Sequence, residues 1–121
     1  MDYKRLGEIE YRFMGLIWDR EPIGSMALVA LCAEEFGWKK STTFTMLKRL
    51  CEKGLAKNEA AIVTSLVPRE TVARKESESF VKQAFNGSLP GFLVAFLGGK
   101  TVSEEEAEEL KRLIDGHRQS K

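Results

Sequence analysis

The spacing of apolar residues changes abruptly at Gly54, and no other feature of the chain constrains its fold as much. Before Gly54, large apolar side chains recur every three or four residues, the period of a helix with one face turned inward. Leu6, Ile9, Phe13, Leu16 and Ile17 form one such stripe over residues 6–18, closed by Pro22 and Gly24. Ser25 is placed to cap a second helix over 26–36, with Leu28, Val29, Leu31 and Cys32 facing inward and Gly37 at its end. Ser41 is placed to cap a third, running to Lys53, whose inward residues are Met46, Leu47, Leu50 and Cys51. Beyond Gly54, residues 55–57 and 62–67 read as two strands, with Asn58 to Ala60 as the turn, and Pro68 stops the second.

A helical period returns after Pro68. Residues 69–85 predict a long helix ended by Gly87, and 89–97 a short, very apolar one ended by Gly98-Gly99. Ser103 and Glu106 have capping-box spacing and open a last helix to about Ile114. Three helices followed by a hairpin is the order of a winged helix-turn-helix. Two helices brace a third so that it protrudes, and a protruding helix fits the DNA major groove. The fold class is therefore mainly α: a winged helix-turn-helix domain over residues 1–68, followed by a C-terminal helical dimerisation region over 69–121.

The net charge of +1 does not by itself indicate a nucleic-acid binder, but the charge is unevenly spread. Residues 1–38 hold four basic and seven acidic side chains. Residues 39–60 hold six basic (Lys39, Lys40, Lys48, Arg49, Lys53 and Lys57) against Glu52 and Glu59, and residues 61–121 hold nine of each sign. The positive excess thus lies on the third helix and its flanks, where phosphate contacts are needed. Thr42, Phe44, Thr45, Lys48 and Arg49 lie off the Leu47/Leu50 stripe, and threonine hydroxyls and methyls can address base edges. The candidate DNA-binding set is Lys39, Lys40, Ser41, Thr42, Phe44, Thr45, Lys48 and Arg49. The competing structural roles are capping for Thr42 and an internal ion pair for Arg49.

Phe80, Phe85, Phe92 and Phe96 fall within seventeen residues, with Leu89, Leu93, Val94 and Leu97 among them. A helix apolar all round must be buried all round. Three short helices form too thin a layer for that, so a second copy of the chain is the expected cover. The expected interface is Phe80, Phe85, Leu89, Phe92, Leu93, Phe96, Leu97, Leu110, Leu113 and Ile114.

The motifs also resemble those of the penicillinase repressor family. The resemblance is carried by Trp18, by Ser41-Thr42-Thr43-Phe44-Thr45-Met46-Leu47-Lys48-Arg49-Leu50 with Glu52-Lys53-Gly54-Leu55, and by Ser65-Leu66-Val67. It continues in Phe92-Leu93-Val94-Ala95-Phe96 and in 105–114. It implies a dimeric repressor on double-stranded, inverted-repeat operators. In the penicillinase branch it implies inactivation by proteolysis through a membrane sensor pathway, at the bond that corresponds here to Ala95-Phe96. A copper-responsive branch binds metal through cysteine clusters near the C-terminus, and this chain has no cysteine after Cys51. The chain departs from the family at the wing, which lacks the usual basic and glycine residues. It departs again at Phe44, where members often carry a polar or basic residue, so the family's operator sequence is not carried over.

Other classes are weaker. The short wing and Phe44 leave open a protein-interaction module with weakened or lost DNA binding. Glu104-Glu105-Glu106 with Glu108-Glu109 imitates a metal site, but acidic residues favour a helix N-terminus electrostatically. No nucleophile–base set or glycine-rich phosphate loop accompanies them, and one histidine with two cysteines leaves no four-ligand zinc site. No enzyme activity, metal or cofactor is expected. The longest apolar run has six residues, 92–97, so direct membrane insertion is not expected either. Met1–Arg5 lead into an amphipathic segment rather than a signal-peptide core, and a cytoplasmic location is expected.

Overall fold

The computed structural model describes residues 6–119; the Met1–Arg5 lead-in and the last two residues lie outside it. Six helices and three short strands follow in the order α1 (Glu8–Arg20), β1 (Ile23–Gly24), α2 (Ser25–Phe36), α3 (Lys40–Glu52), β2 (Ala56–Glu59), β3 (Ile62–Ser65), α4 (Arg69–Phe85), α5 (Leu89–Leu97) and α6 (Glu104–Gly116). The first six elements make a winged helix-turn-helix. The sheet is antiparallel with β3 in the centre, between β1 and β2.

The apolar stripes do what their period requires. Phe13, Ile17, Leu28, Cys32, Leu47, Leu50, Leu55 and Val63 are buried together between α1, α2, α3 and the sheet. Val72, in the first turn of α4, is fully buried in the same core. Gly37 ends α2 in the left-handed region at φ 69°, its amide donating to the Ala33 carbonyl at 3.0 Å.

Several local details differ from the sequence expectation. Ile9 is exposed, and Glu10 and Met14 are buried in its place. β1 was not expected: Ile23 pairs with Val63 and Gly24 with Ile62, a contact across forty residues that two-residue periodicity cannot announce. Gly24 is the N-cap of α2, and Ser25 is its buried first residue. Lys39 is the N-cap of α3, so Ser41 lies inside the first turn rather than capping it. Asn86, at φ 53°, ends α4 one residue before Gly87. Ser103 accepts from the Glu106 amide at 3.0 Å, which is one half of the expected capping box.

The wing turn is tighter than expected. β2 and β3 pair from Ala56↔Ser65 to Glu59↔Ile62, which leaves Ala60 and Ala61 alone at the tip. Both have positive φ, 51° and 64°, the requirement of a two-residue turn that follows the strands' twist. The Ala61 carbonyl accepts from the Ser25 amide at 2.8 Å and ties the wing to the start of α2.

Candidate nucleic-acid interface

α3 is held from behind by Met46, Leu47, Leu50 and Thr43, all buried. Its period then sends Ser41, Thr42, Thr45, Lys48 and Arg49 to the outside, and all five are exposed. Thr42, Thr45 and Arg49 follow the i, i+3, i+7 spacing of a single stripe. Phe44 departs from the expected set: it is half-buried and packed against the core cluster, so only part of its ring faces outward.

The start of α3 suits an anion. Lys39 makes no side-chain capping bond, which leaves first-turn amides without a side-chain acceptor. Such amides, aligned with the helix dipole, attract phosphate. Lys39 and Lys40 stand exposed beside them.

The six cations of residues 39–60 are not equivalent. Lys53 Nζ lies 3.0 and 2.9 Å from the two carboxylate oxygens of Glu10. Arg49 reaches the same carboxylate at 3.9 Å while its side chain stays 53% exposed. Lys57 pairs with Glu59 at 3.0 Å along the wing. Lys39, Lys40 and Lys48 make no ion pair among the described residues. The positive field of the face is therefore carried by these three, with Arg49 at its α1 edge.

Glu10 was missed by the sequence reading, yet its signal was there. Leu6, Glu10, Phe13 and Ile17 share one inward stripe of α1, and a carboxylate on an apolar stripe needs a partner. Burial by itself pushes the Glu10 carboxyl up. The Gly7 amide at 2.9 Å, Lys53 and Arg49 outweigh burial and hold it below the usual carboxylate value.

Neither thiol is poised for chemistry. Burial pushes Cys32 up against a smaller pull from the Thr43 hydroxyl, and burial with the Glu52 charge pushes Cys51 up. Among the described residues no group of three or more His, Cys, Asp or Glu side chains is placed to hold a metal ion. The Glu104–Glu109 run lies along exposed turns of α6.

Of the expected interface residues, the four phenylalanines meet one another on α4 and α5. Phe80, Phe85 and Phe92 meet edge to face at 5.6–6.1 Å, and Phe96 stacks on Phe92 at 5.8 Å. Phe85, Phe92, Leu93 and Leu97 are half-buried, whereas Phe80, Leu89, Phe96, Leu110, Leu113 and Ile114 are exposed. After Val72 no described residue is fully buried. Ala95 and Phe96 are exposed in the last turn of α5, with Lys100 Nζ donating to the Phe96 carbonyl at 3.1 Å. No helix among the described residues is long and apolar enough to cross a membrane.

Comparison with known proteins matches residues 6–116 to the family described as penicillinase repressor. The penicillinase repressor of Bacillus licheniformis is 25% identical, over 97% of this chain and 94% of that protein. An uncharacterised 16.5 kDa protein from the ptsI 3′ region of Latilactobacillus sakei is 24% identical, over 87% of this chain and 75% of that protein.

Proposed function

The chain belongs to the penicillinase repressor family of DNA-binding transcriptional repressors, and from that premise we propose that it acts as a homodimer on inverted-repeat operators. One arrangement carries this reading: the exposed face of α3 presents hydroxyls and cations that have no ion pair among the described residues, while the C-terminal helices leave Leu89, Val94, Phe96, Leu113 and Ile114 exposed. In this reading Lys39, Lys40 and Lys48 grip phosphates, while Ser41, Thr42, Thr45, Arg49 and the outer part of Phe44 face the bases. Residues 1–68 form the DNA-binding head, and residues 69–121 the dimerisation region.

Val94 at 75% exposure and Leu89, Phe96, Leu113 and Ile114 at 55–56% support the dimer. Covering what is still exposed of each contributes about 1–2 kcal/mol, a little over half the worth of burying such a side chain outright. A second copy covers them reciprocally and sets two copies of α3 in successive major grooves about 34 Å apart.

A gel-shift titration with the chain's own promoter DNA tests the whole. Binding should weaken steeply with salt, and the joint replacement of Lys39, Lys40 and Lys48 by alanine should abolish it. DNA binding that survives the triple variant overturns the assignment to α3. No salt-dependent binding to any duplex favours the protein-interaction reading, which the uncharged wing tip supports. Sedimentation of L113E with I114E should show monomers where the unaltered chain shows dimers.

Regulation by a membrane sensor pathway is part of the proposal, with cleavage at Ala95-Phe96. Cleavage there divides the apolar layer and lowers the effective concentration of paired heads. A protease must first unwind the last turn of α5. Immunoblots during induction should show fragments divided at this bond, and an intact chain at full induction of its target genes overturns it.

A further inference from the structure

We propose that Glu10 is a positioning residue for DNA binding: its carboxylate withholds Lys53 from the phosphates and holds Arg49 at the α1 edge of the recognition face. The inference rests on DNA binding through α3. The carboxylate reaches from α1 to Lys53, the residue that caps the C-terminal end of α3, across 43 residues of sequence. Both of its oxygens are engaged by Lys53, whose side chain is only 20% exposed, so that ammonium is not offered outward. Arg49 differs, because one guanidinium nitrogen leans toward Glu10 at 3.9 Å while half the side chain stays open. At 3.9 Å Arg49 makes no hydrogen bond to Glu10, but the carboxylate charge draws the exposed guanidinium toward the α1 side of the face and leaves its donors open. That is what bidentate reading of a base needs.

The arrangement sets electrostatics against specificity. Removing the Glu10 charge releases Lys53 and removes the pull that biases Arg49 toward α1. Counterion release then predicts a stronger grip on any duplex, and loss of presentation predicts poorer discrimination. A residue that merely supports the fold moves both affinities down together.

The test compares a duplex selected by the unaltered chain from a randomised pool with an unrelated duplex of equal length. Each is titrated over a range of salt concentrations. E10Q should bind the unrelated duplex more tightly, with the slope of log K against log salt steeper by about 0.9 for each cation released. Its ratio of selected to unrelated binding should fall on the order of tenfold, within the worth of one base contact. An unchanged slope with equal loss on both duplexes overturns the proposal.

K53M keeps the Glu10 charge and serves if E10Q does not fold. It should leave the slope unchanged, because Lys53 is already withheld. A slope shallower by about one charge overturns the proposal, since Lys53 then touches phosphate. Failure of the underlying reading looks different: the unaltered chain itself shows no salt-dependent binding.

Discussion

Of the hydroxyls on α3, Thr43 carries the one that faces the core. It is 1% exposed, and among the described residues Oγ1 has no hydrogen-bond partner; the Cys32 thiol lies near without closing a bond to it. A buried hydroxyl left unbonded costs about 1–3 kcal/mol. T43V should therefore raise stability by about 1 kcal/mol, seen as a higher Tm, with DNA affinity unchanged because the outer face is untouched. Glu10 makes the opposite case at the same scale, a charge kept inside because it is paired. Its carboxyl lies below the usual value of 4.5 in the folded chain, so its contribution to stability is present above that value. It is lost as pH falls through the lower folded value. Thermal melts from neutral pH into acid should show the stability gap between the unaltered chain and E10Q closing below about pH 4.5. The charges of residues 39–60 were legible in the sequence. Their inequality was not, because Lys53 and Lys57 are neutralised by partners that only the fold or the strand geometry brings near.

At the scale of elements, the helices were legible because their signals are local. Apolar period, glycine stops and the Ser103 cap all act within four residues. The wing was legible as a hairpin but not in its register. Ala60 and Ala61 both adopt left-handed backbone, which costs a residue with a side chain roughly 1–2 kcal/mol. A61G should accordingly stabilise the chain by about 1 kcal/mol in chemical denaturation, provided its carbonyl keeps the bond from Ser25. β1 was invisible for a related reason. Two residues carry no periodicity, and Ile23-Gly24 become a strand only because β3 presents a partner edge.

At the scale of the whole molecule, α4 joins the head to the C-terminal helices, the region we propose completes a dimer. Arg69, at its first residue, bonds Asp19 at 2.9 Å and the Gly15 carbonyl at 3.3 Å, and its guanidinium lies 5.3 Å from the Trp18 ring centroid. Trp18 Nε1 in turn donates to the Val67 carbonyl at 3.0 Å, and the Leu6 amide to Glu76 at 3.2 Å. These contacts, with Val72 in the core, fix how α4 leaves the head. R69A should loosen that angle. Binding to paired half-sites should fall several-fold and tolerate altered spacing, while binding to a single half-site stays unchanged. Competition gel shifts with operators of varied spacing read this directly, and equal losses on single and paired half-sites would argue against it.

What the sequence determined by itself follows from short-range physics: which segments coil, where glycine and proline stop them, which faces are apolar, and that the C-terminal half carries more apolar surface than it can bury. The tertiary structure alone decided which charges are spent and which stay available, where α3 begins to face outward, and that α4 starts inside the head's core. Those outcomes depend on pairings such as Glu10 with Lys53 and Ile23 with Val63. Their partners lie forty or more residues apart. No local preference encodes such a pairing, because its energy exists only once the core has brought the two surfaces together.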